Sequence, residues 1–318
     1  MRFTKIPNDG ASWDSALCYA IETESSNPSD VVVEIVDAIS GELMGVRRLY
    51  GITEAEIDIA PYVRRAMGVA TLSTATLQLS PSARKVVVRV GDVEAPVRLY
   101  YRATIDLSRP HIISSMEQQR VVGCGEVIRY TLYAKREVRV TVSDKSLLSP
   151  ARFAALDTFG LPVELAIDTS SYKGDSVPIT VEITCDNSEA YTMDYTVMEP
   201  STGGCRLAWY NSDGGIECYT FPRVIRSSIE STLMTQIHGA IPRLRTAAVR
   251  YRLISAMEHS KEIERILGIV LSPDIFECNG KECRSVKLLS RNIAFDDHGG
   301  LRRIELEIEK GWRRELWS

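Results

Sequence analysis

The segment Cys205–Pro222, CRLAWYNSDGGIECYTFP, is the part of the chain on which the fold prediction depends most. Two short runs of strand-forming residues, Arg206–Tyr210 and Ile216–Phe221, flank a stretch of Asn, Ser, Asp and two glycines. Asn and Asp side chains close turns by bonding to the backbone, and glycine adopts positive φ without strain. The segment therefore predicts a β-hairpin with a bulge. It contains no evident nucleophile or metal ligand, which favours a structural role.

Length and composition predict a globular protein of two or three domains. The chain has 318 residues, of which 44% are hydrophobic and 25% charged, and each domain can bury its own core. Residues 1–200 hold 20 Lys and Arg against 27 Asp and Glu, whereas residues 201–318 hold 18 against 15. This asymmetry suits head-to-tail assembly of copies, although separate domains that differ in charge explain it more simply.

The sequence contains no segment that directs it to a membrane or to secretion. Its N-terminal residues lack the apolar core of a signal peptide, and no run approaches the ~20 apolar residues of a membrane-spanning helix. The seven cysteines are odd in number and scattered, unlike those of a secreted disulfide scaffold. We therefore expect reduced thiols and a cytoplasmic setting.

Turn-bounded β runs divide the chain into three predicted domains. Residues 1–105 predict an Ig-like β-sandwich with a short helix over 60–68, and residues 106–200 predict a second β domain. The Pro, Ser, Thr and Gly residues at 200–204 indicate a linker. The third predicted domain, 201–318, starts within this linker. The strand runs of the first two domains are 16–23, 31–39, 42–49, 74–79, 85–90, 93–105, 126–134, 138–143, 177–185 and 191–198.

The third domain has the most regular pattern of the chain. From Val224 to Ile237 apolar and polar residues alternate for fourteen residues, which predicts a strand of roughly 46 Å with Ile225 and Ile229 on one face. Residues 243–254 are its expected partner. Three further β runs, at 274–278, 284–295 and 302–310, complete a strongly twisted sheet or split barrel of long hairpins. The predicted fold class is thus mainly β.

Helices are predicted at two more places. Ser149 and Pro150 suit the cap and first position of a short helix that ends by Gly160. In the third domain, Ser255 and Glu258 have the spacing of a capping box. The apolar residues that follow at helical spacing are Ile263, Ile266, Leu267 and Val270, and Pro273 ends this one helix.

The usual signatures of catalysis and of bound cofactors are missing from the sequence. Gly123-Cys124-Gly125 leads into a strand instead of a phosphate-binding helix, so it indicates a turn. Cys278 and Cys283 lack the second close pair of a zinc site. We expect a hairpin to bring these two thiols together, as small buried groups or as a disulfide. The prediction is a non-enzyme with no cofactor and no metal.

Two groups of side chains allow more than one interpretation. Four arginines, Arg243, Arg245, Arg250 and Arg252, resemble a nucleic-acid patch, but strand alternation separates them unless a bulge at Ala247-Ala248 realigns them. We therefore expect a solvated or subunit-facing strand and no specific nucleic acid. The aromatic rings of the opening hairpin suit a core, and an exposed sugar-stacking surface is the alternative. Trp312 and Trp317, near the end of the sequence, suit docking on a neighbouring domain or subunit.

Several motifs of this chain resemble those of structural proteins from phages and prophages of gut Bacteroides-type bacteria. The first is Trp-x-Asn-x-x-Gly-Gly-x-x-x-Tyr-x-Phe at 209–221, and the others are GITEAEIDIAPYVRRAM at 51–67 and the final runs at 271–293 and 301–315. The element order of 205–318 is also similar to the tail-tube and distal-tail fold of long-tailed phages. The residues assigned to this motif and to assembly are Trp209, Asn211, Gly214, Gly215, Tyr219, Phe221 and Trp312.

The resemblance implies a non-enzymatic component of a tail tip or baseplate that forms a ring with its own copies and contacts other tail proteins. Such a protein would be found in the bacterial cytoplasm when expressed from a prophage and in the virion after assembly. Recognition of surface glycans by a β-sandwich is the main alternative. An enzyme would require a pocket that gathers carboxylates such as Asp296 and Asp297 with a histidine.

Overall fold

The computed structural model describes residues 1–23, 27–67, 72, 75–115, 121–144, 152–199, 203–234, 244–290, 293 and 295–315. At 227, 230–234, 244–247, 298 and 311–315 it describes the main chain alone. Within these residues the chain is mainly β, with several sheets and two α-helices, which confirms the predicted fold class.

The first segment folds as two sheets that share one core. Its elements are β1 Arg2–Lys5, β2 Ala11–Ser12, β3 Cys18–Glu22, β4 Ser29–Asp37, β5 Leu43–Ile52, β6 Glu54–Asp58, α1 Ala60–Met67, β7 Leu77–Leu79, β8 Arg84–Val90, β9 Val93–Glu94 and β10 Arg98–Tyr101. One sheet has the order β1-β3-β6 and the other β2-β10-β8-β4-β5, with β9 beside β8. Alternate residues of β4 and β8 point into the core between the two sheets, as the period-two pattern predicts.

Helix α1 begins and ends close to the predicted bounds. The carboxylate of Asp58 accepts hydrogen bonds from the backbone N–H groups of Ala60 (3.0 Å) and Leu17 (2.9 Å). The first bond satisfies a backbone donor at the start of the helix, and the second links the helix start to the residue before β3. Val63 and Met67 face the core of the first segment. The helix therefore closes one end of the sandwich.

The second segment also contains two sheets around a common core. Its strands are β11 His111–Ile112, β12 Val121–Gly123, β13 Val127–Tyr133, β14 Glu137–Asp144, β15 Arg152–Asp157, β16 Pro162–Asp168, β17 Ser176–Cys185 and β18 Tyr191–Met198. The sheet orders are β11-β13-β16-β7 and β12-β18-β17-β14-β15. Strand β7, which lies inside the predicted first domain, thus pairs with β16 of the second segment, through partners such as Leu79 and Val163.

Two strand assignments in the second segment correct the sequence prediction. The helix expected between Ser149 and Gly160 is wrong over Arg152–Asp157, which forms β15 and pairs along its whole length with β14; residues 145–151 lie outside the described residues. Strand β16 was not predicted, although it pairs with all seven residues of β13. Pairing with neighbouring strands outweighed the helix-cap pattern, because local propensity is weak against tertiary packing.

A carboxylate in the turn between β17 and β18 holds the turn that joins β13 of one sheet to β14 of the other. Asp186 accepts hydrogen bonds from the backbone N–H groups of Lys135 (2.6 Å), Arg136 (2.7 Å) and Glu137 (3.0 Å). Burial opposes the charge of Asp186, but the three N–H donors outweigh burial and lower the pKa of its carboxyl group. The ionised carboxylate therefore stabilises the folded chain.

We expect Asp186→Ala to lower the free energy of unfolding by about 2 kcal/mol at pH 7, because three backbone donors lose a charged acceptor. A pKa that is lower in the folded state gives stability above the unfolded value of about 4, and this stability is lost as the pH falls through the folded pKa. Urea unfolding measures the free energy of unfolding of wild type and variant at pH 7 and at pH 3. The difference between the two proteins should be smaller at pH 3. Asp175 is exposed, and the control variant Asp175→Ala should change the free energy of unfolding by no more than about 0.5 kcal/mol at either pH. An equal loss at both pH values would contradict the assignment.

The third segment packs two sheets and a helix around another core. Its elements are β19 Cys205–Tyr210, β20 Ile216–Phe221, β21 Arg223–Met234, β22 Leu244–Ile254, β23 Glu258–His259, α2 Ser260–Leu267, a 3-10 turn Gly268–Leu271, β24 Ile275–Asn279, β25 Glu282–Ser285, β26 Lys287–Leu288, β27 Phe295–His298 and β28 Leu301–Glu315. One sheet is β20-β19-β24-β25, and the other is β21-β22-β28-β23 with β26 and β27 also on β28. Ile263 and Ile266 of α2 are fully buried between them.

The long strand is present, but its faces differ from the prediction. A register shift between Arg226 and Ser228 places a bulge in β21, whereas β22 pairs with β28 without interruption, so no bulge occurs at Ala247-Ala248. Ile225 pairs with Arg252 and Ile229 with Val249. Because these two partners lie on opposite faces of β22, Ile225 and Ile229 do not share a face as predicted. A single extra residue reverses the side-chain alternation beyond it.

The predicted capping box at Ser255 is also wrong. Helix α2 starts at Ser260, and its cap residue His259 makes no side-chain cap hydrogen bond. The hydroxyl of Ser255 instead donates to the carbonyl of Ala256 (2.7 Å) and accepts from the backbone N–H of Ile304 (3.0 Å). These contacts fix the entry to α2 against β28, a long-range role that local spacing does not reveal.

Candidate functional site

The turn of the β19–β20 hairpin is closed by one side chain. Oδ1 of Asn211 accepts hydrogen bonds from the backbone N–H groups of Asp213 (3.0 Å) and Gly215 (2.8 Å). Its Nδ2 donates outward, to the carbonyl of Ile113 (3.2 Å) and to Glu217 Oε1 (2.5 Å). The strands pair without a register shift from Cys205 to Tyr210, so the predicted hairpin is confirmed and the bulge is not present in this ladder. Asn211 joins the turn to the second segment.

The two glycines of the motif serve different purposes. Gly214 has a φ of +80°, and its carbonyl accepts a hydrogen bond from the hydroxyl of Tyr101 (2.5 Å). Gly215 does not have the positive φ that the sequence predicts for both. A Cβ at Gly215 would lie 2.7 Å from the backbone of Ile113 and Ser114, so glycine is needed there for close approach of two chains.

The three aromatic residues of the motif lie in the core of the third segment. Trp209, Tyr219 and Phe221 are each at most 1% exposed. The rings of Tyr219 and Phe221 pack edge to face, with their centroids 4.9 Å apart. Burial, with the nearby Glu258 that accepts its hydroxyl at 2.9 Å, raises the pKa of Tyr219. The core interpretation is confirmed. A sugar-stacking surface made of these rings is wrong, because ligand cannot reach them.

The hairpin is joined to the second segment by a buried polar network. Ser114 donates to the carbonyl of Ile216 (2.6 Å), and the backbone N–H of Ile216 donates to the hydroxyl of Thr131 (3.0 Å). Glu217, which is 1% exposed, accepts from both the backbone N–H (2.6 Å) and the hydroxyl (2.9 Å) of Ser115. These contacts explain why every residue of β13 is buried: one face of that strand meets its own core and the other meets the hairpin.

An ion pair lies at the base of the same junction. Arg206 of β19 donates to Glu126 Oε2 (3.1 Å), to Thr220 Oγ1 (2.9 Å) and to the carbonyl of Val127 (3.0 Å). The side chains of Arg206 and Glu126 are only 5% and 19% exposed. Neither was selected from the sequence, because 80 residues separate them and each is ordinary in its local context.

The disulfide-linked hairpin β24–β25 adds a second contact between these segments. Cys278 and Cys283 pair directly across its two strands and form a disulfide, one of the two outcomes expected from the sequence. Beside them, Lys281 pairs with Asp168 of β16 at 3.0 Å. Burial opposes the charge of Asp168, but the hydrogen bonds from Ser170 and the Lys281 ammonium together outweigh burial and lower the pKa of its carboxyl group. Of the motif residues, Asn211 and Gly215 therefore lie at the junction between the second and third segments, whereas the three aromatic rings pack in the core of the third.

The third segment presents a long strand with an open edge. Strand β21 is twelve residues long and lies at the end of its sheet, where it pairs only with β22 in the described part of the chain. The three strands β21, β22 and β28 continue together to Met234, Leu244 and Glu315. Trp312 lies in β28, where its backbone pairs with Ala247; its side chain and Trp317 are outside the described residues.

Of the charged residues considered for nucleic-acid binding or catalysis, Arg250, Arg252, Asp296 and Asp297 lie in ion pairs, whereas Arg243 and the side chain of Arg245 are outside the described residues. Arg250 lies 3.6 Å from Glu309, and Arg252 lies 3.9 Å from Glu305 and from Glu307, so β22 and β28 form a mixed-charge face. On the β27–β28 hairpin, Asp296 pairs with Arg303 and Asp297 with Arg302. Among the described residues no group of three His, Cys, Asp or Glu side chains could hold a metal ion.

Comparisons with known proteins identify no family. No family model and no curated protein matches the chain. A tetra-tandem repeat from the extending region of a large adhesion protein matches with a TM-score of 0.22 and 9% identity over 79% of this chain and 69% of that one. A bacterial ice-binding adhesin (TM-score 0.16, 11% identity, 95% and 82% coverage) and DIP-gamma IG1+IG2 (0.16, 11%, 62% and 96%) also match. Such TM-scores do not establish a shared fold.

Neither helix within the described residues has the length and apolar character needed to cross a membrane.

Proposed function

We propose that this protein is a non-enzymatic structural subunit that assembles with copies of itself through the open edge of β21. The tail tip or baseplate of a phage or prophage is the setting that the sequence resemblance suggests. The supporting observation is the outer edge of β21, which pairs with no strand of the described residues: twelve residues of backbone whose outer N–H and C=O groups can pair with a strand of another copy.

The composition of the later part of β21 suits such pairing. The strand carries Arg223 and Arg226 near its start, but from Ser227 to Met234 it contains one charged residue, Glu230, and the other residues are hydroxyl-bearing or apolar. Edge strands that avoid pairing usually carry several charges or a proline. Ile225 and Ile229 are 38% and 53% exposed, on opposite faces of the strand, so an added strand would cover apolar surface on both sides.

The geometry of a ring places one requirement on this contact. A closed ring needs two different surfaces on each subunit, whereas a two-fold contact of β21 with itself stops at a dimer. The acidic first two-thirds and the basic last third of the chain favour contact between unlike surfaces. We therefore propose that the edge of β21 meets a different strand of the neighbouring copy.

We expect Ile229→Lys to abolish assembly, because a charge on the edge strand would be desolvated by an added strand. The change is on a half-exposed side chain, so folding should be retained. Size-exclusion chromatography with light scattering should show wild-type oligomers that become monomers in the variant, and negative-stain microscopy should show rings only for wild type. Val32→Lys is the matched control: Val32 is 45% exposed, but β4 lies between two other strands.

Two results would refute the proposal. The first is a wild-type protein that stays monomeric at high concentration and forms no ring even beside tail proteins. The second is an Ile229→Lys variant that assembles as well as wild type and as well as Val32→Lys.

A further inference from the structure

A cleft lies between the first and third segments, beside the turn that Asn211 closes. Its volume is about 560 Å³, within the range of small-molecule sites. Trp13, Arg64 and Arg102 line it from the first segment, and Leu271, Pro273 and Asp274 from the third. None of these residues belongs to β21, so the cleft is independent of the edge through which we propose assembly.

The floor of the cleft is fixed before any ligand arrives. The guanidinium group of Arg102 lies 3.9 Å from the centre of the Tyr210 ring and 5.9 Å from that of Trp13. Its Nη1 donates to Asp274 Oδ2 at 2.8 Å, and its side chain is only 11% exposed. An arginine side chain that a ring and a carboxylate already hold in one rotamer loses little conformational entropy when a ligand binds.

Several polar groups around this floor remain available. Within the described part of the chain, Asp274 uses one carboxylate oxygen for Arg102, and its Oδ1 makes no hydrogen bond. The side-chain carboxylate of Asp14 also has no partner among those residues. Among the described residues Arg64 donates only through Nε, in a long bond to the carbonyl of Ala60 (3.4 Å), so both terminal nitrogens can donate to a ligand. The cleft therefore offers acceptors from two elements and donors from a third.

The charges of these groups cancel. Asp14 and Asp274 carry two negative charges, and Arg64 and Arg102 carry two positive ones. A phosphate would meet two carboxylates, and a polycation would meet two guanidinium groups, so neither gains from the net field. An uncharged ligand that both donates and accepts hydrogen bonds meets no such opposition.

Apolar surface completes the cleft. Leu271 is 81% exposed at its rim, and the Trp13 ring and Pro273 lie along the same cleft. A saccharide has hydroxyls that both donate and accept and a C–H face that packs on apolar and aromatic side chains. We infer that this cleft binds a neutral saccharide, with its hydroxyls on Asp14, Asp274 and Arg64 and its C–H face against Trp13 and Leu271.

The experiment uses the full chain and two neighbouring arginines of α1. A glycan array with neutral and anionic glycans identifies retained ligands, and isothermal titration with the best neutral glycan gives the affinity. We expect Arg64→Ala to weaken that affinity about tenfold, since a charged donor to a hydroxyl is lost. Arg65→Ala should leave the affinity unchanged, because Arg65 is also exposed on the same helix but does not line the cleft. Both variants should unfold at the wild-type temperature.

Three results would overturn the inference. Retention of no neutral glycan is the first, and retention of anionic glycans or of peptides alone is the second. The third is an equal affinity for wild type, Arg64→Ala and Arg65→Ala. Ile229 does not line the cleft, so a monomeric Ile229→Lys variant that still binds the neutral glycan would separate this site from the proposed assembly function.

Discussion

Arg206→Met is expected to lower the free energy of unfolding by about 4 kcal/mol. Methionine replaces the methylene stem of the arginine with an unbranched apolar side chain. The substitution removes three hydrogen bonds and leaves the largely buried carboxylate of Glu126 without its cation. Removing one partner of a buried ion pair costs far more than the pair contributes, because the remaining charge is desolvated and uncompensated. Urea unfolding followed by tryptophan fluorescence measures the loss.

Two further variants show whether the unpaired charge is the cause. Adding Glu126→Gln to Arg206→Met should restore about 2 kcal/mol, since the neutral amide needs no cation. Arg284→Met removes a surface ion pair with Glu282, in which both side chains are more than three-quarters exposed, and should cost less than about 0.5 kcal/mol. A loss below 1 kcal/mol for Arg206→Met, or no recovery in the double variant, would show that the junction does not depend on this pair.

Gly215→Ala is expected to lower the free energy of unfolding by about 3 kcal/mol. A methyl group at this position would lie 2.7 Å from backbone atoms of Ile113 and Ser114, which cannot rotate away as a side chain can. Forcing an added carbon into a packed site typically costs 1–3 kcal/mol. The cost here falls at the upper end of that range, because the hydrogen bond from Ser114 to Ile216 must shift as well.

The matched control is Gly268→Ala. Gly268 has a helical φ of −54°, and a Cβ there would lie 3.7 Å from its nearest neighbour, Trp209 Nε1. Alanine should therefore be neutral or slightly stabilising, by up to about 1 kcal/mol, since it restricts the unfolded chain. Differential scanning calorimetry of both variants provides the comparison. If Gly215→Ala unfolds at the same temperature as Gly268→Ala, the close approach of the two chains is not important for stability.

Much of the strand pattern could be predicted from the sequence. The runs at 31–39, 85–90, 177–185 and 191–198 correspond to β4, β8, β17 and β18 within two residues at each end. The helix α1 and the Asn211 turn were also predicted within similar limits. These features depend on side chains that are near one another in sequence, so alternation, turn residues and proline position are sufficient to identify them.

Other features could not be predicted because they depend on partners that are distant in sequence. The segment 152–157 became a strand through pairing with β14, and β7 joined a sheet whose other strands lie beyond residue 110. One inserted residue near Ser227 reversed the faces of the long strand, although the alternation itself is correct in sequence. Register and sheet membership are properties of two strands together, so a pattern within one strand does not decide them.

The candidate sites divide in the same way. Sequence alone determined that 205–222 is a hairpin with Asn211 in its turn, because those contacts are formed within a few residues. Only the tertiary structure decided that Gly215 is a point of close approach, that Arg206 meets Glu126, and that Arg102 meets Asp274 across a cleft. Such contacts join residues 80 to 172 positions apart, so no pattern within a short stretch of sequence specifies them.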